Sequence, residues 1–447
     1  MIKQGIEKFL NSEDTLVRVL RNSVWLFTGN GVTAVLSFFY LAILTRALGP
    51  EGFGQFVLIF STVQMIAALL RFQTWQTIVH YGVRYILERD PQKFSALAYF
   101  GIALETTGAV VGSILAWFII PWIGNYFGWD PQFVGTTQIY AVAMLLCVKS
   151  SALGILRAHD RFRDGAFADA MIPIGRMVGA VVVLLTTPSL IAFLAAWAAA
   201  EVLSAVIFWV LVIRYGDLHR SAISMQQIRS IVAENTGIQK FFFNTALTDM
   251  IAAMREHLVV LVIGFLIDVR AAGLFRLANQ LANAINRIAE IISKPLFTEL
   301  SRIYANGEFQ EFRRLFYRSL RLSLLTGIAV ILLLIAIGKP MIEIMAGPAF
   351  ADAYSLLVLL GLATSFGMMG LGLDPLLQAS GSAHLALMIR ALGIGLVLLL
   401  IYLLVPIWGA TGAALALLIA SAGSVIALLI ITLKKFQKME QSSKSSQ

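Results

Sequence analysis

The residues able to do chemistry stand out because they sit where charge is costly. In one apolar stretch of the second half, Arg276, Asn279 or Gln280, Asn283, Arg287 and Glu290 recur at helical spacing, with Asn286 among them. That spacing places a polar stripe on one helix face, which must meet protein or water rather than lipid. A long stripe that mixes amides with two cations points to a water-filled cavity. Arg176 and Arg255 add cations in other apolar stretches. Buried Arg suits a phosphate, because its planar fork binds oxyanions and keeps its charge at any cellular pH. The carboxylates Glu105, Asp249, Glu256 and Glu290 suit coupling to a proton or cation, since burial disfavours a bare negative charge. Lys149, Asp169, Glu201, Asp374, His384 and Arg390 are further intramembrane or span-end polar groups, with Lys149 and Arg390 near enough to span ends to snorkel. The alternative is purely structural. Pairs such as Asp169 with Arg176, or Arg287 with Glu290, would then only hold helices together.

Other chemistries lack their residues. His80, His159, His219, His257 and His384 are scattered, with no pair at metal-ligand spacing on one helix. No phosphate-binding glycine loop with a following Lys-Ser/Thr appears, so no nucleotide-driven engine is expected, and no cofactor. One cysteine, Cys147, excludes an intrachain disulfide. The net charge of +9 invites a nucleic-acid reading. The cations, however, cluster between apolar runs and form no basic stripe with interleaved aromatics.

These residues must be positioned by membrane spans. Of 447 residues, 59% are hydrophobic and only 13% charged, and the mean hydropathy is +0.82. A soluble domain has roughly 45–50% apolar and about 25% charged residues. About twelve runs reach the ~20 residues a span needs, among them Phe53–Phe72, Phe133–Leu156 and Ala271–Leu296. Spanning backbone must satisfy its own hydrogen bonds, and the runs are too long for barrel strands. The expected fold is therefore an all-α integral membrane bundle. Cations cluster at alternate ends of the runs, as in Arg157, Arg161 and Arg163, whereas the opposite side carries only Arg46, Arg270 and Lys339. By the positive-inside rule both termini face the cytoplasm.

The two halves look related. Glu51-Gly52-Phe53-Gly54-Gln55-Phe56 and Arg270-Ala271-Ala272-Gly273-Leu274-Phe275 lie 219 residues apart, and Leu156-Arg157-Ala158 and Leu377-Gln378-Ala379 lie 221 apart. Six spans per half make parallel repeats, with a site expected between them near mid-membrane. The expected organisation is an interfacial helix or frayed tail over 1–21, an N-lobe over 22–213 and a cytoplasmic linker over 214–240. A C-lobe over 241–433 and a disordered tail over 434–447 complete it. The outward loops are short and leave no room for an external catalytic domain, which counts against an enzyme.

Several of these segments resemble one known family. Leu44-Thr45-Arg46-Ala47-Leu48-Gly49-Pro50-Glu51-Gly52-Phe53-Gly54-Gln55-Phe56 is similar to the first-loop signature of the polysaccharide biosynthesis (Wzx-type) oligosaccharide flippases. The segments 272–278 and 294–301 resemble its second-half counterpart, and 347–353 its tenth-span entry. Turn chemistry explains the glycines of the first motif and leaves Arg46 as a cation at the cavity mouth. The resemblance implies the multidrug/oligosaccharidyl-lipid/polysaccharide exporter fold, with two six-helix lobes forming a V. It also implies flipping of undecaprenyl-pyrophosphate-linked oligosaccharide (O-antigen, capsule or exopolysaccharide units) across a bacterial inner membrane. Its partners would be the bilayer, a polysaccharide polymerase and chain-length machinery, and its coupling ion H⁺ or Na⁺. In that setting Arg46, Arg176, Arg255, Arg276 and Arg287 would hold the pyrophosphate, and Asn279, Asn283 and Asn286 would face the sugars. No short motif fixes which arginines serve, so that choice rests on burial alone. Rivals on the same fold are a multidrug or cation antiporter and a peptidoglycan lipid-precursor flippase. A glycan-processing membrane enzyme is the rival of another class.

Overall fold

The computed structural model describes residues 15–70, 72–216, 218, 225–284, 309–369, 373 and 383–445, and among them every regular element is a helix. In chain order these are α1 (Thr15–Leu70), α2 (Trp75–Leu87), α3 (Pro91–Phe127), α4 (Pro131–Leu145), α5 (Ser150–Ala158) and α6 (Phe162–Leu185). Next come α7 (Leu190–Tyr215), α8 (Met225–Glu234) and α9 (Ile238–Leu266), then α10 over 269–284. The chain continues with α11 (Phe309–Ala346), a 3₁₀ turn at Pro348–Phe350, α12 (Ala353–Met369) and α13 (Ala383–Ser445).

The turn signals in the sequence set many of these boundaries. α1 carries the first two spans, divided at Gly49, whose φ of 66° and ψ of −179° suit only glycine. Pro50 then restarts the helix. α13 repeats the device for the last two spans at Gly409 (φ 58°). Asp90 and Asp130 each precede a proline and cap α3 and α4, accepting from the N–H groups of Lys93 and Gln132 at 3.0 Å. Seven described helices are long and apolar enough to cross a membrane, two of them these fused pairs. Shorter apolar stretches at Glu256–Leu266 and Ala353–Met368 fall on the seventh and tenth expected runs. α13 stays helical to Ser445, correcting the expected disordered tail. Its Lys, Gln, Glu and Met residues are good helix formers continuing an existing helix.

The fourth run, expected as one helix over Phe133–Leu156, is broken in mid-course. α4 ends at Leu145 and α5 begins at Ser150. Freed backbone groups inside a membrane need partners; the Leu146, Cys147 and Val148 N–H groups bond locally, and neighbouring spans supply others. Glu105 on α3, 1% exposed, accepts from the backbone N–H of Lys149 (3.0 Å), Ser150 (2.8 Å) and Ser151 (2.7 Å) and from Ser151 Oγ (2.7 Å). Trp209 Nε1 donates to Val148 O at 2.7 Å. The second run ends near its expected limit at Phe72, just before α2, and the same junction holds that turn. Ser150 Oγ accepts from the N–H groups of Thr74 (3.0 Å) and Trp75 (3.2 Å), and the Thr74 and Ser151 hydroxyls share a 2.7 Å hydrogen bond. Glu105 is therefore the anionic cap of a half-helix, in place of the ion-coupling role expected for it.

Two compact units emerge, one comprising 1–48 and 59–258, the other 49–58 and 259–447. This division departs from the expected lobes at two places. The segment 214–240 is no free linker, because its helix α8 docks within the first unit. Ile231 is buried in that unit's core with Ile78, Tyr85, Phe94 and Phe208. Asn235 Nδ2 donates to Tyr85 Oη at 2.7 Å, and Glu234 pairs with Arg84 (3.2 Å) and Lys93 (3.0 Å). The boundary falls instead inside α9, and the start of the second span counts with the second unit. There the two motifs that suggested the repeat meet. A Cβ on Gly54 would collide with Val269 O, and one on Gly273 would lie 2.9 Å from Pro50 O and 3.0 Å from Gly54 Cα. Gly54 and Gly273 are 219 residues apart, so the matching glycines of the two similar motifs lie in contact. Residues 1–14, the bulk of the expected interfacial helix, lie outside the described residues.

Two stability predictions follow from these contacts. Gly273→Ala is expected to cost about 1–3 kcal/mol through overpacking and to lower the unfolding midpoint in detergent. Gly135→Ala, with nothing within 4 Å of the added methyl, should not lower it. Glu105→Gln turns an N–H₂ toward donors and should cost about 1–3 kcal/mol, with Glu105→Ala costing more. A wild-type midpoint in Glu105→Gln would contradict the capping role.

Candidate functional site

The first unit gathers its intramembrane charge at one place, and small residues are the reason. Gly175 and Gly179 on α6 face Ala200 and Ala196 on α7, where added Cβ atoms would lie 2.9 Å and 2.7 Å from the alanine methyls. This small-xxx-small pairing lets two spans approach closely. Arg176 follows Gly175, and Glu201 follows Ala200, so the close approach carries the charged pair with it. Arg176 Nη2 lies 2.9 Å from Glu201 Oε1, and Lys149 Nζ lies 2.7 Å from Glu201 Oε2. Lys149 reaches that carboxylate because it stands at the N-terminal boundary of α5, where the break in the fourth run turns it. The side chains of Lys149, Arg176 and Glu201 are 18%, 14% and 10% exposed. Each carboxylate oxygen thus serves one cation, and the trio carries one net positive charge.

Aromatic residues close around the trio. The Arg176 guanidinium lies 5.8 Å from the ring centroids of both Phe60 and Trp197, and Tyr40 packs edge-on against Trp197 at 5.2 Å. Tyr140 is 4% exposed and feels the charges of Arg176 and Glu201. Its hydroxyl and Arg176 Nε have no hydrogen-bond partner among the described residues. Donors therefore outnumber acceptors, which is the chemistry of an anion site.

The other expected site residues are distributed as follows. Arg176 pairs with Glu201 and not with Asp169, which interacts with Lys149 and Arg157. The helix-local pairing is thus replaced by one between helices. Asp249 is half-buried and accepts from Gln76 Nε2 at 3.3 Å, at the start of α2. Glu256 is exposed, and its neighbour His257 is buried edge-on to Phe60. Arg46 is exposed near the end of the first span. On α10, in the second unit, Arg276 is partly exposed, and Asn283 Nδ2 donates to Asn279 Oδ1 at 3.2 Å. The polar stripe is real as far as it is described, but Asn286, Arg287 and Glu290 lie outside the described residues, as does the Arg255 side chain. Lys149 and Glu201 were visible in the sequence only as isolated charges. A single carboxylate in the otherwise apolar α7 was the available signal. Among the described residues no three His, Cys, Asp or Glu side chains group to hold a metal ion.

Comparison with known proteins agrees with this architecture. Inner membrane protein YghQ of Escherichia coli (strain K12) is 26% identical over 345 residues, covering 76% of this chain and 95% of that protein. Among solved structures, lipid II flippase MurJ in an inward closed conformation superposes with a TM-score of 0.70 at 15% identity, covering 95% of this chain and 90% of that one. An inward-facing MATE family multidrug resistance transporter of the MOP superfamily gives 0.66 at 15% identity, covering 92% and 96%. A MOP superfamily transporter from Pyrococcus furiosus, described with a binding pocket of reverse polarity, gives 0.61 at 16% identity, covering 97% and 98%. These likenesses establish the fold, the all-helical one those structures share. A family model described as polysaccharide biosynthesis protein matches residues 19–301, well over half the chain, and the chain accordingly belongs to that family.

Proposed function

We propose that this transporter flips polyprenyl-pyrophosphate-linked oligosaccharides from the cytoplasmic to the outer leaflet of a bacterial inner membrane. The observation that carries this reading is the donor excess around Arg176: Lys149 and Arg176 both bind the Glu201 carboxylate, and Arg176 Nε and Tyr140 Oη still have no hydrogen-bond partner among the described residues. A phosphate oxyanion supplies the missing acceptors. Arg46, Arg255, Arg276 and Arg287 are the further candidates for binding the pyrophosphate, and the amides Asn279, Asn283 and Asn286 the candidates for hydrogen-bonding the sugar hydroxyls. The polyprenyl tail stays in lipid throughout, since moving it through a polar path would forfeit about 0.8 kcal/mol per CH₂. Alternating access of the two lobes moves the head group, both termini face the cytoplasm, and a glycan polymerase with its chain-length machinery takes the product. The YghQ likeness favours the inner membrane, and the MurJ likeness favours a lipid-linked cargo. A drug or cation exporter on this fold needs an acidic site, which the cluster of Lys149, Arg176 and Glu201 does not provide.

A strain lacking the gene tests the reading. The expected outcome is an intact lipid-linked repeat unit accumulating in the cytoplasmic leaflet, with surface glycan lost. Normal surface glycan with altered sensitivity to organic cations would move the function to the exporter. In the complemented strain, Arg176→Ala, Arg276→Ala and Arg287→Ala should each abolish glycan export, and the corresponding Lys variants should only weaken it. Full export by all three alanine variants would refute the site.

A further inference from the structure

Glu201 makes a peculiar contact for a purely structural carboxylate. Each of its oxygens holds a different cation, Lys149 Nζ at 2.7 Å and Arg176 Nη2 at 2.9 Å. Those cations come from different elements, one from a helix break and one from the middle of α6. All three side chains keep 10–18% exposure, so an incoming group can reach them. Beside them, buried Tyr140 Oη and Arg176 Nε still lack an acceptor among the described residues. One carboxylate with two oxygens cannot satisfy this set of donors, whereas a phosphate can.

Resting on the flippase reading above, we propose that Glu201 is a resident counter-ion, displaced from Lys149 and Arg176 by the substrate's diphosphate and then discharged by one proton. The charge balance requires the second step. Without substrate, Lys149 and Arg176 against Glu201 leave one positive charge. A diphosphate esterified at both ends brings two negative charges, leaving one negative charge in excess. An ionised carboxylate stripped of its cations inside a membrane is costly, and the inexpensive remedy is neutralisation. The hydrogen bonds from Lys149 Nζ and Arg176 Nη2 pass to phosphoryl oxygens, Arg176 Nε and Tyr140 Oη gain acceptors, and one Glu201 oxygen takes up a proton from the bulk buffer, whose conjugate base stays in solution. Charge then sums to zero.

Among the described residues, the charged and titratable groups around Glu201 include Lys149 at the boundary of α5, Arg176 and Asp169 on α6, and Tyr140 on α4, with Tyr40 on α1 next to Arg176. Asp169 feels the charge of Lys149 first and of Arg157 next, so Arg157 remains beside it when the diphosphate engages Lys149. Glu201 is the carboxylate that ion-pairs with both of the phosphate-binding cations. Lys149, until now an isolated charge at a span end, becomes a phosphate-binding residue.

The test uses the full-length protein in detergent and farnesyl-diphosphate-linked N-acetylglucosamine, a diester whose charges do not titrate near neutrality. Calorimetric titration in two buffers of different ionisation enthalpy counts the protons taken up on binding. Wild type should take up about one proton per diester bound. Glu201→Gln should bind the diester with no proton uptake, and Lys149→Met should bind it about tenfold more weakly. Binding by wild type without proton uptake, or unchanged uptake in Glu201→Gln, overturns the counter-ion role while leaving the flippase reading intact. No binding of the diester by wild type overturns both. The wild-type proton count needs no variant, so a variant that fails to fold does not remove the test.

Discussion

Where the fourth span breaks, three backbone N–H groups open toward the membrane interior, and the carboxylate of Glu105 is what receives them. Everything in the first unit's polar centre depends on that contact. A continuous helix would bury its own N–H groups and hold Lys149 on the ordinary spiral of the span. The break, sealed by Glu105 on one side and Trp209 on the other, frees Lys149 to extend to Glu201. The same junction binds the second span, because Ser150 accepts from the first two N–H groups of the α2 turn. One buried anion thus holds a junction that joins the broken fourth span to the start of α2. An anion at a half-helix N-terminus is favoured by both the open donors and the dipole. That the protein supplies this anion itself means the substrate need not fill that position, and the excess positive charge stays one contact further on.

That excess is what separates the competing readings on this fold. A site meant for an organic cation would show unmatched acceptors, and the trio of Lys149, Arg176 and Glu201 shows unmatched donors. The aromatic rings that a cation exporter would use to hold its cargo here face a guanidinium of the protein's own, with Phe60 and Trp197 flanking Arg176. Their π faces are already committed to a resident cation.

Spans and turns were legible in the sequence because they obey local rules. Apolar length located the helices, and Gly49-Pro50 located the reversal in α1. The break after Leu145 was not legible, since Leu146-Cys147-Val148 contains neither glycine nor proline. Its causes, Glu105 and Trp209, lie some forty and sixty residues away in the chain. The same distinction divides the site. Arg176 was readable as a costly buried cation, but its partner was sought at helical spacing in Asp169. The actual partner, Glu201, is brought by the packing of Gly175 and Gly179 on Ala200 and Ala196. A residue-type signal marks which charges matter, whereas the contact between two helices decides which of them meet.

The internal repeat gains physical content from Gly54 and Gly273. A weak match between two motifs 219 residues apart is poor evidence by itself. The structure brings the corresponding glycines into backbone contact, with Gly273 close to both Pro50 O and Gly54 Cα. A side chain at either position would be crowded against the backbone of the other segment. Glycine at both positions is the solution with the closest backbone approach. The glycines of that motif therefore have two separate causes: Gly49 is required by its φ, and Gly54 by the neighbour it meets.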